Sequence, residues 1–383
     1  GLCFGDGTTP GGGPDVLECI VASNRAEDDG GGVYQVQGLD ILGSTIVGNS
    51  AAGKGGGIFR KYSAPASPYI VNSTFIGNVA QTGAGMFSNG YGDGRLLNNM
   101  FAHNAAAMGG AIAAASSSLP DNGWQGCSIA NNVLAYNAGG AFAELEGIGE
   151  LHLFANCNVY DNEPGNYFSS SYQQWFDRPE DTQSGNAVFV DNVNWEPGLR
   201  THPGGICRAV TFDANTVHST LTLDSASHET NSLVGLTINP NVSQPLFFYV
   251  ISHSANTVTV LGDAASPASP PCEYIVVDYH LAANSKNIDT GIDVSAHINV
   301  DAENNRRPLY EGFDIGPDEV FPMAGDFEPD EDIDFSDFAF LAEQWLGDCS
   351  SPEWCERRDT NHDGSVDLHD LAWLITNWLS GSR

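Results

Sequence analysis

The chain has 383 residues and carries 48 Asp and Glu against 14 Lys and Arg, for a net charge of −34. That balance excludes nucleic acid, anionic lipid and acidic polysaccharide as natural partners and makes cations the natural ligands. With 41% hydrophobic residues and 44 glycines the chain can pack a core and must turn tightly and often, which separates it from disordered chains.

Numbering opens at Gly1, from which removal of an upstream segment is expected, and no apolar run reaches membrane-spanning length. Eight cysteines, none in a CxxC pair, fit an oxidising compartment, so a secreted or cell-surface product is expected. Candidate disulfides are Cys3 with Cys19, Cys207 with Cys272, and Cys349 with Cys355, the last pair lying only six residues apart.

A repeat occupies the first half. Ser44-Thr45-Ile46-Val47-Gly48-Asn49 returns as Ser73-Thr74-Phe75-Ile76-Gly77-Asn78. Looser copies follow at Asn99-Met100-Phe101-Ala102-His103-Asn104, at Asn132–Asn137 and at Cys157–Asn162, and an earlier copy ends at Asn24. Glycines trail each Asn, as in Gly30-Gly31-Gly32-Val33, Gly55-Gly56-Gly57-Ile58, Gly83-Ala84-Gly85-Met86, Gly109-Gly110-Ala111-Ile112 and Gly139-Gly140-Ala141-Phe142. Each coil therefore reads strand, Asn corner, small-residue turn, Gly corner, strand. Glycine supplies the positive φ of a sharp corner. Stacked coils place the Asn side chains in a hydrogen-bonded ladder and the Val, Ile, Leu and Phe positions in one core.

These runs resemble the right-handed parallel β-helix family of secreted bacterial surface proteins. The resemblance covers about residues 15–200 and resumes at Asp278-Tyr279-His280-Leu281 and Asn287-Ile288-Asp289-Thr290-Gly291. Its closing motif matches Asn304-Asn305-Arg306-Arg307-Pro308 and Asp314-Ile315-Gly316-Pro317-Asp318-Glu319, although Ser285-Lys286-Asn287 replaces the family's usual Ser-Pro. Between these parts, alternating stretches such as Thr220–Leu223, Leu246–Ile251 and Thr257–Leu261 predict short antiparallel strands. The expected organisation is an all-β chain: parallel β-helix over 1–200, a β insertion or irregular coils over 201–277, a closing segment over 278–322, and a calcium module over 323–383.

In that last part the composition shifts sharply, with 15 acids and three basic residues over 324–383. Asp359, Asn361, Asp363, Gly364, Ser365, Asp367 and Asp370 fill positions 1, 3, 5, 6, 7, 9 and 12 of an EF-hand loop, with Ser365 offering its backbone carbonyl. Asp326, Glu328, Asp330, Asp332, Asp334 and Asp337 repeat the spacing, but Glu331 stands where Gly is usual. Two Ca2+ ions are expected, the first loop binding more weakly because a non-Gly left-handed residue costs about 1–2 kcal/mol. Apolar helices are expected behind the loops, over Phe338–Leu346 and Leu371–Leu379. The tail resembles dockerin modules, a resemblance that implies an adaptor role with a cohesin-like partner; the alternative is a calcium-locked cap on the chain's own β-helix.

A polysaccharide-degrading enzyme is the rival reading, acting on a neutral glycan. Its candidate carboxylates are Asp161, Glu163, Asp177, Glu180 and Asp181, with His103 and His152 as bases and Trp124, Trp175 and Trp195 as sugar platforms. Solvated acids and edge-covering aromatics explain the same residues, and only 11 basic residues precede the tail, too few for a recurring uronate-binding row. A Gly-rich start with few residues before the first coil leaves a β edge to pair with another subunit, which favours a non-enzymatic, self-assembling extracellular structural protein.

Overall fold

A computed structural model describes residues 2–4, 15–35, 39–61, 69–89, 95–115, 128–145, 152–169, 173–177, 187–224, 228, 231–282, 285–309, 312–320, 325, 327, 333–350, 355, 358–361, 363–376 and 378. Most of its regular structure is β-strand, with three short helices, α1 (Ala265–Ala268), α2 (Phe335–Glu343) and α3 (Leu368–Thr376).

The repeats form a β-solenoid of three parallel sheets. One sheet stacks Leu2–Phe4, Val33–Gln35, Ile58–Lys61, Met86–Asn89, Ile112–Ala115, Phe142–Glu144 and Tyr167–Ser169, and ends on the antiparallel strand Gln174–Phe176. A second runs from Val16–Leu17 through Ile41–Leu42, Tyr69–Val71, Arg95–Leu97, Ser128–Ala130 and His152–Ala155 to Ala187–Val190. The third joins Ile20–Ala22, Thr45–Val47, Thr74–Ile76, Met100–Ala102, Val133–Ala135 and Asn158–Tyr160. Every coil thus has a strand beyond those that the sequence pattern picked out, the short one before each Ser or Asn run. Two or three apolar residues carry too little periodicity to be recognised alone.

Registers align equivalent residues, Phe75 on Ile46 and on Phe101, so like stacks on like. Inside, Phe75 and Phe101 stack at 4.3 Å between buried Ile46, Leu96, Ile129 and Leu134. The expected ladder is present: Nδ2 of Asn24, Asn49, Asn78, Asn104 and Asn137 donates to Oδ1 of the next Asn at 3.0, 3.1, 3.0, 3.0 and 2.8 Å. At the glycine corner, Gly55 has φ +67 and a Cβ there would lie 2.3 Å from the Ile58 carbonyl, so no other residue fits.

A further ladder was not foreseen. Backbone N–H groups of Ser44, Ser73 and Asn99 donate to Ser73 Oγ, Asn99 Oδ1 and Asn132 Oδ1 at 3.1, 3.0 and 2.9 Å. Its signal was in plain view, since these residues open the successive repeats.

Six antiparallel strands, Gly205–Asp213, His218–Leu223, Thr237–Asn239, Phe248–His253, Thr257–Leu261 and Cys272–Val277, close into a barrel with its own core. The barrel lies on the outer face of the third sheet, where Phe247 is buried with Val47, Ile76, Met100 and Val133. Gly77 makes this approach feasible, because a Cβ there would sit 2.4 Å from the Phe247 ring.

After the barrel, the chain runs back along the corner between the second and third sheets. Asn156 Nδ2 donates to Thr290 O at 3.0 Å, Asn131 Nδ2 to Ile292 O at 2.9 Å, Asn72 Nδ2 to Val300 O at 2.7 Å, and Asn304 Nδ2 to Glu18 Oε1 at 3.3 Å. This strap reaches from the last coils to the first, and Val294 and Phe313 bury Val71, Leu97, Ala130 and Ala155 of the second sheet. Arg307 anchors it from within, 1% exposed, with Nε 2.8 Å from Glu319 Oε2.

Cys349 and Cys355 are disulfide-bonded, as expected. Cys19 is a free thiol and so does not pair with Cys3. Cys207 and Cys272 face each other across neighbouring strands but are both thiols. No helix among the described residues is long and apolar enough to cross a membrane.

Candidate metal centre

The C-terminal part is built twice over. Helices α2 and α3 begin three residues earlier than the sequence pattern suggested, at Phe335 and Leu368, because Asp334 and Asp367 are carboxylates that cap helix starts. Asp334 accepts from Ser336 N–H at 2.7 Å and Asp367 from His369 N–H at 2.7 Å. Asp337 then accepts from the N–H groups of Phe327 and Asp334 at 2.5 and 2.8 Å, and Asp370 accepts from those of Thr360 and Asp367 at 2.6 and 2.8 Å. Ile333 and Val366 lie at matching places in one small core with Phe327, Leu341 and Leu374.

The second loop is described at all six proposed ligand positions. Asp359 and Asp370 are fully buried, and among the described residues Asp359 accepts from Asp363 N–H at 3.2 Å and Gly364 N–H at 2.9 Å. Gly364 turns the chain at φ +101, and a Cβ there would touch nothing nearer than the Cys349 carbonyl at 3.9 Å. Asp363 receives Ser365 N–H and Oγ at 3.1 Å each. Hydrogen bonds from Asn361 and Ser365 hold its carboxyl below the usual range. One carboxylate oxygen each from Asp363 and Asp367 and one ring nitrogen of His369 lie within 4.8 Å of one another.

On either side of Ser365, the Gly364 and Val366 carbonyls accept from Cys349 and Leu346 N–H at 2.9 and 2.8 Å. The disulfide segment is thereby fastened to the loop. Arg358, 4% exposed, donates from Nε to the Phe340 carbonyl at 2.7 Å and joins the two halves. Buried carboxylates, side-chain oxygens at alternate positions and a sharp glycine bend are the donor chemistry that a hard cation takes.

In the first loop Asp334 and Asp337 are placed as described, while Asp326, Glu328, Asp330 and Asp332 lie outside the described residues.

The described residues considered for catalysis lie on the solenoid's surface or in its packing. Asp161 sits exposed on a solenoid corner at φ +48, Glu163 is exposed two residues on, and Asp177 is exposed beyond the Gln174–Phe176 strand. Glu180, Asp181 and Trp124 are outside the described residues, as is the His152 side chain. His103 is packed between Tyr136 and Phe247, each ring 5.1 Å away, beneath the barrel. Trp175 covers the Gly140 corner and leans on Phe168, and Trp195 Nε1 donates to Asn287 Oδ1 at 2.9 Å.

Comparison with protein-family models, with curated proteins and with solved structures finds no match to this chain.

Proposed function

We propose that the chain is a secreted, non-enzymatic structural protein, a calcium-stabilised solenoid subunit that stacks head to tail outside the cell. The observation that carries this reading is the exposed apolar edge at the described start of the second and third sheets. Val16–Leu17 and Ile20–Ala22 stand at the ends of their sheets among the described residues, with Leu17 50% and Ile20 45% exposed. An apolar strand edge with unused backbone groups invites a further strand, and contact of one subunit's start with the next one's end does not close on itself. A cleft of about 560 Å3, lined by Cys19–Asn24 and by Thr216–His218 of the barrel, lies beside that edge. Barrel and strap already cover the outer faces of the third and second sheets.

Calcium enters through the tail. Asp359, Asn361, Asp363, Asp367 and Asp370 with the Ser365 carbonyl would hold one ion, and Asp326, Glu328, Asp330, Asp332, Asp334 and Asp337 a second. Each ion would offset carboxylates that are now met chiefly by amides. Sedimentation velocity in millimolar calcium is the test. Mass growing with concentration in the natural chain, and a monomer for Ile20→Lys, is expected; a natural chain that stays monomeric at every concentration refutes the assembly.

One observation favours the adaptor reading of the tail. Phe335 and Leu368, 77% and 69% exposed, occupy equivalent first positions of α2 and α3, with Phe338 and Ile375 exposed nearby. Exposed apolar groups at matched positions are what a protein partner covers. Binding of a cohesin domain in calcium, lost in EDTA and in a Phe335→Asp, Leu368→Asp double variant, is its expected signature; no binding in calcium excludes it.

A further inference from the structure

We infer that His280, Glu303 and Asp318 form a separate cation site, for a transition ion of the Zn2+ class, where the chain leaves the barrel to become the strap. One ring nitrogen and one oxygen from each carboxylate lie within 4.8 Å of one another. His280 Nε2 is 3.5 Å from Glu303 Oε1. Two ligands each about 2.0–2.2 Å from a tetrahedral centre stand about 3.4 Å apart, so this spacing already suits an ion between them.

The imidazole is held for that role. Its Nδ1 bonds Asp278 Oδ1, whose partner oxygen Oδ2 lies 2.8 Å from His202 Nε2. A carboxylate on one ring nitrogen fixes the ring and turns the other nitrogen toward an ion, the outer-shell arrangement of ligating histidines. Asp318 is fixed through Oδ2 by Leu281 N–H at 2.8 Å. The 301–305 turn is held by Asp301 Oδ1, which accepts from Glu303 and Asn305 N–H at 2.9 and 2.8 Å, and Ala302 N–H reaches the Pro317 carbonyl at 2.9 Å. Three segments distant in sequence are thus locked around one point.

Charge gives an independent reason. Asp278, Asp301 and Asp318 are 5%, 2% and 5% exposed, and Glu303 adds a fourth carboxylate, its hydroxyl partner being Tyr279. Among the described residues, the basic groups seen to act on them are His202, His280 and Arg200. Two of these are imidazoles that carry charge only when protonated, so a divalent ion relieves an excess of buried anion. A nitrogen ligand disfavours Ca2+, which takes oxygen, and selects Zn2+ and its neighbours. The Glu303 side chain is 30% exposed, which opens that side of the site to the entering ion and to water as a fourth ligand.

The test uses the full chain, stripped of metal and returned to millimolar calcium so that the tail loops are filled, then titrated with Co2+ as a spectroscopic stand-in for Zn2+. One Co2+ per chain with the visible bands of a tetrahedral site, displaced by Zn2+, is expected. Glu303→Gln, at the solvent side and folded by circular dichroism, is expected to lose those bands. Asp278→Asn is expected to weaken binding by about 10–100-fold, and Asp363→Asn in the tail to leave it unchanged. Absence of tetrahedral bands in the natural chain, or undiminished affinity in folded Glu303→Gln, overturns the site.

Discussion

Asn78 illustrates how one side chain holds two coils. Its Nδ2 donates to Ile46 O at 2.9 Å and to Asn104 Oδ1, and its Oδ1 accepts from Asn49 N–H at 3.0 Å and from Asn49 Nδ2. All four bonding directions of a fully buried amide are used. Asn78→Ala removes four bonds of about 1 kcal/mol net each and strands buried partners, so a loss of about 2–4 kcal/mol is expected in urea unfolding. The residue was legible from the sequence because its period could be counted. His103 was not: its place in the repeat said corner, but nothing local said that a barrel would land on it. Burial between two rings drives its imidazole down to about 4 from 6.5. Between those values the unfolded chain binds the extra proton and the folded chain does not, so stability falls as pH drops from 6.5 toward 4. Allowing for its partial exposure, this amounts to about 2 kcal/mol. His103→Asn, which tolerates the left-handed backbone, is expected to flatten that part of a stability-versus-pH profile; an unchanged slope assigns the effect to other groups.

Within the tail, the two loop–helix halves repeat at 33 residues, from Asp334 to Asp367 and from Asp337 to Asp370. The acidic spacing made the repeat of the two halves legible, while the helix starts were misplaced because apolar periodicity marks where a helix packs and not where it is capped. Buried Asp359 and Asp370 give the tail its expected dependence on metal. Chelation is expected to lower the melting temperature of this module, followed by fluorescence of Trp345, Trp373 and Trp378, and Asp359→Ala to reproduce the shift in calcium. Gly364→Ala meets no steric obstacle yet forces a Cβ residue to φ +101, a strain of about 1–3 kcal/mol. Calcium titration of that variant is expected to show about tenfold or greater weakening; unaltered affinity means that the loop adopts another shape when it binds.

For the whole molecule, the solenoid was readable because each coil repeats the last. The barrel's closure and the strap were not, since both depend on contacts between residues far apart in sequence. Phe247 reaches the third sheet only where Gly48 and Gly77 leave the backbone bare. Asn72, Asn131 and Asn156 take the strap with side chains whose spacing resembles that of the inner ladder. Together these two elements cover the outer faces of the third and second sheets. Electron microscopy of the purified chain in millimolar calcium tests the head-to-tail account most directly. Unbranched filaments whose axial repeat matches one solenoid, absent for Leu17→Lys and Ile20→Lys, are the expected result. Dispersed single particles at all concentrations, or filaments that persist in both variants, contradict it.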